Sequence, residues 1–312
     1  MGRVWRVGYD PAMKRPALLA LLLGLITIPS LRGQAPAAAG WSADISEVRR
    51  GATLIPGRKP LRINVLKFAE SRRTKNFSVK GEPAAPSVQA RTVFQVVYAD
   101  GYVMVDAGMD EPMHRQIGRG AEGEPYYAEQ AQAVNTALRG ARAIVFTHEH
   151  GDHVTGVIRN PYLAELAPKT ILTRAQVNTL ENRPQFPDLK MTEEQAARYH
   201  VIDYDRYMAF APGWTLIKAA GHTQGSQMMF ITLDSGREYL LIGDTAWHMD
   251  GVRKVTGKDA PWIVEDTAAV NDQLKWLNGL STSEKNLVII ASHDDDEHKE
   301  LVAKKLLGGK LE

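Results

Sequence analysis

No cysteine occurs anywhere in the 312 residues. That excludes a disulfide framework, a lipid-modified cysteine and a thiolate metal ligand together. A basic excess is lacking too, once the ends are separated. Residues 1–32 carry Arg3, Arg6, Lys14, Arg15 and Arg32 against Asp10, a net of +4, so the nominal +2 of the whole chain leaves a body charge of −2. Neither that sign nor any basic stripe suits a phosphate backbone, and no nucleic-acid partner is expected. Also missing is an apolar run long enough to span a bilayer: the longest, Ala17 to Ile28, is about a dozen residues. No short-period repeat is visible, and no low-complexity segment lies beyond the N-terminus.

That short run follows Met13-Lys14-Arg15 and precedes the small residues Gly33, Ala35 and Ala37-Ala38-Ala39-Gly40. A basic start, an apolar core and small residues form a secretory signal peptide, expected over residues 1–39 with Met13 an alternative start. Residues 40–312 then form one catalytic-size domain, exported to a bacterial periplasm or medium, with no stable membrane association after cleavage. An exported chain without disulfides suits that compartment.

The body is organised around Phe146-Thr147-His148-Glu149-His150-Gly151-Asp152-His153. It places three imidazoles and a carboxylate within six residues, directly after the apolar strand Ala143 to Phe146. Residues two apart on an extended backbone point the same way, so His148 and His150 leave the strand as a pair. Gly151 permits a sharp turn that returns Asp152 and His153 toward the same point. Imidazole and carboxylate are the usual nitrogen and oxygen ligands of zinc. Glu149 is expected to face solvent.

The same event recurs along the chain. Strands are expected at Leu61–Phe68, at Thr92–Tyr98 and Tyr102–Val105 around Ala99-Asp100-Gly101, and at Thr170–Leu172. Further strands are expected at Trp214–Ala219, at Met228–Leu233 and Glu238–Ile242, and at Leu287–Ala291. Several end in a residue able to bind metal: Asp106, the His148–His153 cluster, His222, Asp244 and His293. Loops at the ends of neighbouring strands can converge on one site. Helices are expected at Glu129–Leu138, Val154–Ile158, Thr192–Tyr199, Glu265–Leu277 and Glu297–Leu307. The polar segments Ala69–Ser87 and Glu181–Gly213 read as irregular, the second as a lid, a pocket wall or a surface excursion. His114, His200, His248 and His298 sit in polar surroundings and read as solvated.

The set His-x-His-x-Asp-His, Gly221-His222-Thr223, Gly243-Asp244-Thr245 and Ser292-His293 resembles the metallo-β-lactamase superfamily. The resemblance implies an α/β fold, an αβ/βα sandwich of two mixed sheets flanked by helices. It implies two divalent metal ions, zinc foremost with iron or manganese as alternatives. His148, His150 and His222 would hold the first, Asp152, His153 and His293 the second, and Asp244 would bridge them. Asp152 would also act catalytically, and Asp106 would brace the metal loop.

Within the superfamily, the lack of cysteine argues against the thiolate β-lactamases, and Asp244 against the histidine-rich ones. The flavodiiron group carries glutamate where this chain has His150. Glyoxalase II adds a helical domain, whereas only 19 residues follow His293. The chain is most similar to N-acyl homoserine lactonases, which implies a lactone or small ester as substrate and leaves a homodimer open. β-Lactam and phosphotriester hydrolysis are the alternative activities, and a metal-binding protein without turnover is a further one. Those lactonases carry a tyrosine three residues after the bridging aspartate, where this chain has Trp247. Trp247 and Met109 are the expected residues of the substrate pocket.

Overall fold

Period-two patterning divides almost every strand between two apolar layers. Val103 and Val105 pack in one cluster and Met104 in another, while Met229 and Ile231 separate in the same way from Met228 and Phe230. Both faces of such strands must be covered, and four layers follow. The computed structural model describes residues 40–118 and 124–312. The expected signal peptide and its alternative start lie outside the described residues. No helix among the described residues is long and apolar enough to cross a membrane.

The first sheet contains β1 (Arg62–Thr74), β2 (Pro86–Tyr98), β3 (Gly101–Val105), β4 (Ala143–Val145), β5 (Thr170–Thr173) and β6 (His200–Ile202), side by side in chain order. Its first two pairings are antiparallel and the remaining three parallel. The second comprises β7 (Tyr207–Ala211), β8 (Trp214–Lys218), β9 (Gln227–Thr232), β10 (Glu238–Leu241) and β11 (Leu287–Ile290), in the order β11-β10-β9-β8-β7. Only β10 and β11 pair in parallel there. Between the sheets lie Ile63, Phe94, Val105 and Val145 against Trp214, Met229, Ile231 and Leu241. The outer face of the first sheet is covered by Val134, Leu138, Val154 and Val177 of its helices. Val270, Leu274 and Leu277 of the helix Thr267–Ser283 cover the second. This is the αβ/βα sandwich of two mixed sheets.

Two polar segments are more ordered than their composition suggests. Ala69–Ser87 continues β1 to Thr74, adds the short helix Lys75–Ser78 and enters β2 at Pro86. Its buried polar groups are paired rather than solvated: Glu70 with Lys67, and Ser71 with Glu124 and Arg91. Glu181–Gly213 supplies β6 and β7, one edge of each sheet, so most of it links the two layers. Its expected helix is shorter, Glu193–Ala196, opened by a capping box between Thr192 and Gln195. The helix Arg174–Asn182 was not anticipated, although Thr173 and Gln176 form the same device.

Candidate metal centre

The apolar strand β4 ends, and Phe146 to Glu149 carry the chain out to a helix, Gly151–Ile158, that His150 caps. One turn of helix swings Asp152 and His153 back beside His148. Asp106, at the end of the neighbouring β3, locks this loop. Its Oδ1 accepts from the Thr147 amide at 2.8 Å and its Oδ2 from the Thr147 hydroxyl at 2.9 Å. The same Oδ2 lies 2.9 Å from His153 Nδ1, which leaves His153 Nε2 to face the centre. Asp106 does this with φ +62°, the left-handed region that Asp tolerates better than most residues.

Two further strand ends complete the constellation. His222 follows β8, Asp244 follows β10 and His293 follows β11. His150 Nδ1 lies 3.2 Å from His148 Nε2 and 3.1 Å from His222 Nε2, so three ring nitrogens meet at one point. Asp152 Oδ2 lies 3.6 Å from His153 Nε2 and 3.4 Å from His293 Nε2, a second point. Asp244 faces both: its Oδ2 is 3.6 Å from His222 Nε2 and 3.1 Å from His293 Nε2, and its Oδ1 is 3.5 Å from His153 Nε2. All seven side chains named from the sequence are therefore brought together.

The donor set fits cations. Burial holds the imidazoles of His148 and His222 well below their ordinary value and brings His150 down to about 4, so all three are neutral, the form that ligates. The three nitrogens that meet there form a group able to hold one metal ion. His153 behaves oppositely: burial resists its charge, yet Asp152, Asp106 and Asp244 push it up to about 10. Those carboxylates hold a positive charge among them. Burial also resists the charge of Asp244, but His293, His148 and His153 keep it well below the usual carboxylate range. His153 Nε2 and Asp244 Oδ1 are buried without a hydrogen-bond partner among the described residues.

Several supporting residues were invisible to sequence reasoning. Glu265 Oε2 lies 3.0 Å from His222 Nδ1 and pairs with the buried Lys258 at 2.9 Å. Ala90 offers its carbonyl to His293 Nδ1 at 2.7 Å. Buried Arg91 places Nη1 2.5 Å from Asp152 Oδ2 and 3.4 Å from His293 Nε2. A lone basic residue inside the apolar strand β2 was the available signal for Arg91; nothing local marks Glu265.

Other expectations need correction. Glu149 is buried, not solvated: its carboxylate accepts from Thr223 Oγ1 at 2.8 Å and from the Gly225 amide at 3.2 Å, tying the metal loop to the His222 loop. His114 and His298 are buried as well. His298 lies 2.8 Å from the Ala291 carbonyl, and His114 packs beside Tyr126. His248 is largely covered and accepts from the Asp250 amide at the start of a helix. Met109 does not line the metal pocket; it is buried in the apolar layer outside the first sheet and borders a separate cavity. Trp247 does line the pocket, and its indole Nε1 donates to Asp244 Oδ2 at 2.7 Å.

The pocket over these residues measures about 490 Å³. Phe77, Trp247, Trp262 and Val264 furnish apolar surface, while Arg73, Arg91 and Arg183 bring cationic groups. Of the segment Glu181–Gly213, only Arg183 and Gln185 reach it, and Gln185 accepts from the Gly151 amide at 2.8 Å.

Among solved structures, an N-acyl homoserine lactone hydrolase with N-hexanoyl-L-homoserine bound at its catalytic metal center is 16% identical, with a TM-score of 0.61 over 78% of this chain and 96% of that one. A quorum-quenching N-acyl homoserine lactone lactonase is 17% identical, with a TM-score of 0.62 over 78% and 97%. A probable metal-dependent hydrolase from Staphylococcus aureus is 12% identical, with a TM-score of 0.58 over 77% and 91%. At such identities the likeness is one of fold. No curated protein matches the sequence. The family model described as the beta-lactamase superfamily domain matches residues 102–284, from β3 to the end of the helix before β11. With its fold and its histidine–aspartate clusters already described, the chain belongs to the metallo-β-lactamase superfamily.

Proposed function

We propose that the protein is a dinuclear metal-dependent hydrolase that opens a lactone or small ester. The observation that carries this reading is the position of Asp244 between the two donor clusters, with Oδ2 3.6 Å from His222 Nε2 and 3.1 Å from His293 Nε2 and Oδ1 3.5 Å from His153 Nε2. His148, His150 and His222 would hold one ion, and Asp152, His153 and His293 the other, with Asp244 between. Zinc suits these nitrogen and oxygen donors, as do iron and manganese. Two divalent ions bound there would supply a hydroxide at neutral pH and Lewis acidity toward a carbonyl oxygen.

The remaining work falls to the chain. Asp152 would help to hold the second ion, take the proton of the attacking water and pass it to the leaving oxygen as the C–O bond breaks. Arg91 holds the Asp152 carboxylate through Oδ2, the oxygen that also faces His153 and His293. Asp106, Glu265 and the Ala90 carbonyl fix the tautomers of His153, His222 and His293, so each ring presents Nε2 inward. Trp247 stands where the lactonases place a tyrosine, and its one N–H is committed to Asp244, so it provides no donor to a developing oxyanion. The expected consequence is slower turnover of N-acyl homoserine lactones than in lactonases that carry the tyrosine, or a preference for a different substrate.

The test is a panel of acyl lactones, aryl esters, a β-lactam reporter and paraoxon, run with metal-loaded protein and again after chelation. Metal-dependent turnover of a lactone or ester supports the reading. Turnover of the β-lactam alone, or none at all with two metals bound, removes it. Export of the chain is a separate proposal, checked by the N-terminus of material recovered from periplasm and medium; a protein retaining residues 1–39 in the cytoplasm would end it.

A further inference from the structure

Among the described residues, the charged side chains lining the pocket are balanced before any ion is added: Arg73, Arg91 and Arg183 against Glu149, Asp152 and Asp244. Two of these carboxylates, Asp152 and Asp244, belong to the donor clusters, so their charge is committed to metal ions. Glu149 is engaged by Thr223 and Gly225. Two divalent cations therefore leave the pocket strongly positive, even with a hydroxide counted.

The arginines differ in how they are held. Arg73 is paired with Glu124. Arg91 is buried; it reaches Asp152 and Ser71, and its Nε has no acceptor among the described residues. Once metal draws on Asp152, Arg91 loses most of its counter-charge in a buried setting, where an uncompensated cation is costly. Arg183, exposed at the rim, engages no carboxylate among the described residues. A neutral ligand would leave both groups unanswered. An oxyanion answers both, since a guanidinium fork pairs with carboxylate or phosphate.

We propose that the preferred substrate is an ester or lactone that itself carries an oxyanion, a carboxylate or a phosphate, received by Arg183 at the rim with Arg91 beneath. The apolar part of the substrate then lies against Phe77, Trp247 and Trp262, which line the same pocket. This rests on the hydrolase reading for its kinetics but not for its binding test.

The kinetic experiment compares three 4-nitrophenyl esters of similar acyl length, one neutral, one ending in a carboxylate and one ending in a phosphate, on the metal-loaded full chain. One anionic ester should exceed the neutral ester by about 10-fold or more in kcat/KM, the value of one charge-assisted contact. The gain should reside in KM and shrink with added salt. Arg183→Gln should reduce the anionic-to-neutral ratio toward unity, and Arg183→Lys should restore part of it. Which anionic ester gains identifies the oxyanion. A ratio at or below unity in the wild type, or a ratio unchanged in Arg183→Gln, overturns the proposal while leaving the hydrolase intact. If no ester is turned over, glutarate and a phosphate-tipped analogue are titrated against the fluorescence of Trp247 and Trp262. Saturable binding that Arg183→Gln weakens sustains the anion site without the hydrolase; absent binding, or binding indifferent to Arg183, overturns it.

Discussion

Asp244 and Glu265 differ in what their removal should do. Asp244 faces both donor clusters, so Asp244→Ala is expected to lower the metal bound per chain by about one equivalent, measured by elemental analysis after gel filtration. Unchanged stoichiometry would remove Asp244 from the bridge. Glu265 touches no metal position but fixes the His222 ring through Nδ1. Glu265→Gln should therefore leave stoichiometry intact at saturating metal and weaken affinity about 10–100-fold, read by competition with a chelator. Glu149 teaches the converse. Between two histidines in sequence it looked like a solvated side chain, yet burial pushes its carboxyl up and Thr223 and Gly225 hold it. Thr223 and Gly225 lie more than 70 residues away, a distance that no local pattern bridges.

The helix Gly151–Ile158 and the end of β3 act as one unit. The Gly156 amide donates to the Gly108 carbonyl at 2.9 Å, and a Cβ on Gly156 would stand 2.0 Å from the Ala107 carbonyl oxygen. Gly156→Ala must therefore push the helix away from the Asp106 loop. A loss of about 1–3 kcal/mol in urea unfolding is expected, together with weaker metal binding, because Asp106 would no longer seat Thr147 and His153. A stability equal to the wild type would show that the two elements separate freely. Strands of alternating apolar residues, such as β3 and β9, were readable with nearly correct bounds. The far half of β1 was not: Glu70, Ser71 and Arg73 look like a loop until their buried partners are known.

Across the whole molecule, the two sheets must stay face to face for five strand-end segments to meet at one site. Trp214 is the largest fully buried side chain among the described residues and lies between the sheets beside Phe210, with ring centroids 5.0 Å apart. Trp214→Ala should cost about 3–5 kcal/mol of unfolding free energy. Circular dichroism against urea measures this, and a cost below about 1 kcal/mol would mean that the layers repack around the gap.

The ligand types were legible from the start. An imidazole–carboxylate cluster after a buried strand, and single His or Asp residues after later strands, are local events that periodicity and glycine placement expose. Read together with its resemblance to the superfamily, the sequence by itself thus determined the layered α/β class and the seven candidate donor side chains that meet at one site. Tertiary structure alone decided what surrounds them: Arg91 against Asp152, Glu265 behind His222, Trp247 spent on Asp244, and Met109 turned into the core. Those pairings join residues from different strands and loops, and burial, which sets both their charge state and their partners, exists only once the two sheets have closed on each other.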